Sequence, residues 1–260
     1  MTQILPLPPE LASRAPGALL AALRLLPVAM ASPFLGGPLV PPIVRVALAA
    51  GLGAAVSAAS APPPVADGLA LAVAGARELA LGTVLAFLAS VPVEAARAAG
   101  RLADTFRGAT LSELHVAPIR QRESAAGDLL AHWVVVLASW AGGDRLVVQG
   151  LLSTFVAVPP GARAALGGAL PAVLAAAGEL VAAAVAIAAP AAAGVLAADL
   201  AVALVARVAP QLGAVNAAQP ARAALGLLAL AAAASIAGGR LAAMVALSGR
   251  TIGSAAGMVP

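Results

Sequence analysis

The sequence predicts an all-α membrane protein of about six to seven hydrophobic helices, and three observations carry that prediction. Hydrophobic residues make up 62% of the chain and charged residues only 10%, with a mean hydropathy of +1.01, whereas soluble domains are roughly 25% charged. Several apolar runs approach the roughly 20 residues a helix needs to cross the hydrocarbon core. The charge is also unevenly placed: ten of the 26 charged residues fall between Glu94 and Asp128, inside flanks nearly free of charge. We therefore expect a single membrane domain over residues 1–260 with a polar segment at 94–128.

Apolar segments lie at 16–32, 43–60, 68–90, 129–141, 146–158, 164–189, 191–206 and 221–248. Those at 68–90, 164–189 and 221–248 are long enough to span. The pair 129–141 and 146–158 is not, and Gly142, Gly143, Asp144 and Arg145 between them combine turn formers with charge. A short, re-entrant-like helical hairpin is expected there, which lipid tolerates only when protein shields its tip. Pro27, Pro33, Pro38, Pro41 and Pro42 punctuate the first two segments, and Pro190 is expected to divide the long Ala-rich run. Ala and Gly throughout the apolar segments permit close helix approach where lipid supplies no hydrophobic drive.

Within the polar segment, Glu94, Arg97, Arg101 and Asp104 recur at helical spacing, so the helix from 68 is expected to continue as an amphipathic extension solvated on one side. From Arg107 and Gly108 the periodicity fades, and the connector that follows is longer than ordinary loops. It is either a plain link or a plug. Arginine supplies all fifteen basic residues; if the short pair returns to its starting side, Arg45, Arg97, Arg101, Arg107, Arg120, Arg122, Arg163, Arg207 and Arg222 all fall on one face, cytoplasmic by the positive-inside rule.

Enzymatic chemistry finds little support. The chain has no Cys and no Tyr, no phosphate-binding loop and no metalloprotease helix, and its histidines, His115 and His132, are far apart. Ser112, Glu113 and His115 are of catalytic types, but their spacing builds no catalytic geometry by itself. Dispersed arginines without aromatic interleaving argue against nucleic-acid binding. Met1 to Glu10 has no basic region and does not resemble a cleaved signal. Arg24, Arg77, Glu78, Glu179 and Asp199 lie inside apolar segments, where each is costly unless paired. They serve either as glue between helices or, for Glu78, Glu179 and Asp199, as a proton relay.

A set of collinear motifs runs through the chain. Arg24-Leu-Leu-Pro-Val is followed by Ser32-Pro33-Phe34 and by Val40-Pro-Pro-Ile-Val-Arg45; then come Ala76-Arg77-Glu78-Leu79, Gly100-Arg101-Leu-Ala-Asp104-Thr-Phe106-Arg107-Gly108, Asp199, and Arg207-Val-Ala-Pro210-Gln211-Leu212. In order and spacing these resemble the FliR/SctT family, export-gate subunits of bacterial flagella and of type III secretion injectisomes, over about residues 15 to 250. The chain departs after Leu212, where the family usually continues with Asn and aromatic or branched residues and this sequence reads Gly213-Ala-Val-Asn216.

The resemblance implies a non-enzymatic, multi-pass protein of the bacterial inner membrane, without cofactor or metal. It implies FliP/SctR-like and FliQ/SctS-like partners, an FlhB/SctU-like switch protein, and a conduit for unfolded exported proteins. It further implies that Asp104 to Ser124 occludes the pore at rest, with Asp104, Phe106, Arg107, Gly108 and Glu113 as gating residues. Pro33, Arg45, Arg77, Glu78, Asp199, Arg207, Pro210 and Gln211 are expected in helix packing and partner contacts. The alternative class is a proton-coupled transporter of a small solute.

Overall fold

The computed structural model describes residues 9–35, 40–61, 63, 67–108, 124–163, 166–209, 211 and 214–257. Among the described residues there are no strands. The helices are α1 (Pro9–Ala31), α2 (Pro42–Ala59), α3 (Gly68–Phe106), α4 (Ala125–Trp140), α5 (Gly143–Ala157), α6 (Leu170–Val208) and α7 (Ala214–Gly257), with a 3-10 turn at Leu166–Ala169 before α6. Ala and Leu, the strongest helix formers, dominate these stretches, and Pro or Gly marks most of their edges. Four helices are long and apolar enough to cross a membrane, and up to six spans result if each bent pair is counted as one.

One of those pairs is α4 with α5. Each is too short alone, and they meet at a sharp break around Gly142, the expected short helical pair. The division of α6 at Pro190 does not occur, because the helix runs unbroken from Leu170 to Val208 with the proline inside it. Pro92 and Pro220 likewise lie within α3 and α7. Internal prolines are tolerable in membrane helices when neighbouring groups satisfy the freed carbonyl, so composition alone overstated them as boundaries.

The chain forms two compact units. The first comprises residues 1–90, 142–176 and 245–260. Its apolar centre holds Ala21, Leu25 and Ala29 of α1, Ala49 of α2 and Phe155 of α5. Gly53 lets α2 lie directly against the backbone of α1 at Ala18 and Ala22. The second unit comprises residues 91–141 and 177–244. Ala95, Ala96, Ala99 and Ala103 of α3 are fully buried there, with Leu130 and Val134 of α4 also in the interior. Gly100 makes that packing possible: a Cβ on it would overlap the backbone of Ala126 and Gly127, so α3 and α4 touch main chain to main chain.

Candidate functional site

Among the described residues, each unit holds a cluster of buried charged groups. In the first, Arg24 projects from the middle of α1 and is completely buried. Its Nε and Nη2 donate to Glu78 of α3 at 2.6 and 3.0 Å, a bidentate pair. Its Nη1 donates to the carbonyls of Thr154 and Val158, 3.1 and 2.9 Å away, at the end of α5. The guanidinium also lies 4.3 Å from the ring centre of Phe155. One side chain thus neutralises a buried acid, caps a helix C-terminus where the dipole favours positive charge, and gains cation–π attraction.

Glu78 takes a third bond, 2.8 Å from the N–H of Gly161. Gly161 has φ +82, a left-handed backbone open to glycine at little cost. A Cβ there would also press on Pro63 and Leu20. The segment after α5 is therefore held against α3 by an acid whose charge α1 has already balanced. Ionised pairs removed from water persist only when such additional hydrogen bonds accompany them.

In the second unit, Asp104 near the end of α3 is the hub. Its Oδ1 pairs with Arg107 one turn on. Its Oδ2 accepts from the Ser124 hydroxyl at 2.6 Å and from the backbone N–H of Ala126 at 3.1 Å. Ser124 is in turn the N-cap of α4, accepting from Gly127 N–H at 2.9 Å. One carboxylate therefore ties the departure of the polar segment, at Arg107, to its return, at Ser124. Arg107 is also buried, its Nε has no hydrogen-bond partner among the described residues, and its carbonyl accepts from Gln219 of α7 at 3.5 Å. Gly108 has φ +72, which ends α3 by a turn most residues disfavour. Around this hub, Arg97 pairs with Glu94 and lies 3.8 Å from Asp128 of α4.

The end of α3 exposes Arg101 and Thr105, but of the charged set expected on a solvated side Glu94 and Arg97 are only half-exposed. Asp104 and Arg107, however, lie on its buried side. Phe106 faces outward at 44% exposure, and Glu113 lies outside the described residues. Of the residues expected in packing and partner contacts, Glu78 is satisfied within the chain by Arg24 and Gly161. Asp199 of α6 pairs with Arg222 of α7, whereas Arg207 is exposed in the last turn of α6. Arg45 bonds the carbonyls of Val40 and Met30 across the connection between α1 and α2, in which Pro33 forms part of a turn. Arg77 and Gln211 are exposed, and Pro210 lies outside the described residues.

Sequence reasoning missed the assignments of partners more than the residues themselves. Arg24 and Glu78 were both visible as buried charges of opposite sign, and the cost of leaving either alone was the available signal that they meet. No such signal existed for Thr154 or Val158, which act through their carbonyls.

Apolar helices with exposed Leu and Val along their faces, enclosing charges that neutralise one another, define a multi-pass helical membrane protein. Within that class the chain belongs to family 1 of the bacterial export proteins, whose model matches residues 15–247, in agreement with the FliR/SctT resemblance. It is also similar to the secretion system apparatus protein SsaT of Salmonella typhimurium, with 32% identity over 84 residues. That match covers 32% of this chain and 32% of the relative, so the chain spans about a third of SsaT's length.

Proposed function

We propose that the chain is a subunit of a type III secretion export apparatus in the bacterial inner membrane. There it builds a protein-conducting channel with FliP/SctR-like and FliQ/SctS-like subunits, and an FlhB/SctU-like protein acts beside it on unfolded substrates. The observation that carries this reading is the family match along nearly the whole chain, 15–247. The role is structural and gating rather than catalytic. In both clusters an acid on α3 accepts a hydrogen bond from the backbone of a separate segment, Glu78 from Gly161 and Asp104 from Ala126, which suits parts that must hold one arrangement and release it.

Gating is assigned to the segment that leaves α3 at Arg107 and returns at Ser124, with the Asp104 cluster as its clamp. Glu78 and Asp199, two of the acids a proton relay would need, are each held by an arginine, which favours glue over relay. Coexpression with the three partner types tests the assembly: a defined complex containing this chain should copurify, and its intact mass gives the copy number. A chain that stays monomeric in their presence and moves a small solute by itself would refute the assignment.

A further inference from the structure

Among the described residues several arginines have no side-chain partner, and two of them stand at one site. Arg77 of α3 and Arg163, in the segment after α5, are exposed, and neither makes an ion pair or hydrogen bond among the described residues. Both line one cavity of 590 Å³, within the roughly 300–1,000 Å³ range of ligand sites. The acid in its lining is Asp67, and one of its oxygens is already engaged, accepting from the N–H of Ala70 at 2.7 Å as α3 begins. Two cations thus face one partly committed anion.

The rest of the lining is apolar. Leu69, Val73 and Arg77 stand four residues apart on one face of α3, and the first two are 75% and 44% exposed. A row of aliphatic side chains on α3 beside two arginines matches a molecule with a hydrocarbon end and an anionic end. Guanidinium groups bind phosphate oxygens bidentately, and basic pockets between membrane helices receive lipid headgroups.

We propose that this cavity binds an anionic glycerophospholipid, with the phosphodiester held by Arg77 and Arg163 and the start of an acyl chain lying along Leu69 and Val73. The ligand offsets two charges that would otherwise stand unpaired on a membrane helix and its neighbouring segment. The proposal needs only the membrane location, so it stands or falls independently of the channel reading.

The full chain in nonionic detergent is titrated with phosphatidylglycerol or with phosphatidylcholine, and retained lipid is counted by native mass spectrometry. Phosphatidylglycerol should be retained preferentially, and Arg77→Gln with Arg163→Gln should erase the preference. Each unit of charge near the headgroup changes affinity by about fivefold. Asp67→Asn should therefore raise phosphatidylglycerol retention about fivefold while keeping α3 capped, since Asn caps as well as Asp; this variant carries the test if the double variant does not fold. Equal retention of the two lipids by the wild type, a preference that survives in the double variant, or reduced retention in Asp67→Asn would each overturn the proposal. Inorganic phosphate is the third arm. If it binds without lipid and displaces phosphatidylglycerol completely, the site serves a free anion and the lipid assignment is wrong.

Discussion

Arg24 shows how much a single side chain can hold in a chain this apolar. Removing one partner of a buried ion pair typically costs about 3–5 kcal/mol, because the other charge stays behind unpaired. Glu78→Gln should therefore lower the thermal midpoint of the detergent-solubilised protein sharply. Replacing both partners, Arg24→Met with Glu78→Leu, should recover only part of the loss. An ordinary pair of this kind can be exchanged for hydrophobic residues almost without penalty, but Arg24 also satisfies the Thr154 and Val158 carbonyls, which methionine cannot do. Full recovery in the double variant would show that the helix cap contributes nothing. Gly161→Ala acts on the same cluster from the backbone side. A left-handed conformation costs a residue with a Cβ about 1–2 kcal/mol, so this variant should be milder than Glu78→Gln under the same measurement.

At the level of elements, the contact between α3 and α4 is the most sensitive to added volume. Gly100→Val places atoms where the backbone of Ala126 and Gly127 already lies. Overpacking ordinarily costs about 1–3 kcal/mol, and rigid main chain on the opposing side puts this case at or above the upper end. Limited proteolysis should detect the separation as faster cleavage near the start of α4; an unchanged pattern would mean that the two helices are not pressed together there. The elements themselves were legible from apolar run length, because helices of about 20 apolar residues have little choice in lipid. The extension of α3 to Phe106 was legible from the spacing of Glu94, Arg97, Arg101 and Asp104. What spacing could not convey is which face of that extension is buried, since alanines at 95, 96, 99 and 103 are neutral between lipid, water and protein. Ser124 is a similar case. It is a good N-cap by residue type, yet its second bond, to Asp104, depends on a fold that brings residues twenty positions apart together. Pro190 misled for the converse reason: proline reads as a breaker in water, but a long helix packed among neighbours can carry it.

For the molecule as a whole, the clamp at Asp104 sets an order among variants of the proposed gate. If the segment between Arg107 and Ser124 closes a channel, its resting position depends first on its own presence and then on the bonds that hold its two ends. Deleting Thr110 to Arg122 removes the obstruction and should raise ion leak across the membrane the most. Asp104→Asn keeps an acceptor for Ser124 but removes the charge that faces Arg107. Hydrogen bonds to charged groups contribute about 1.5–3 kcal/mol, which corresponds to a shift of roughly ten- to a hundredfold in the balance between held and released ends. Its leak should accordingly lie above the wild type and below the deletion, and Ser124→Ala, which gives up a neutral donor and an N-cap, should lie closer to the wild type. Conductance of cells carrying the assembled apparatus, compared at equal complex abundance, reads all three. A deletion variant that assembles and conducts no more than the wild type would remove the gating role, whatever the clamp variants do. A clamp variant leaking as much as the deletion would instead place the whole closing force in Asp104.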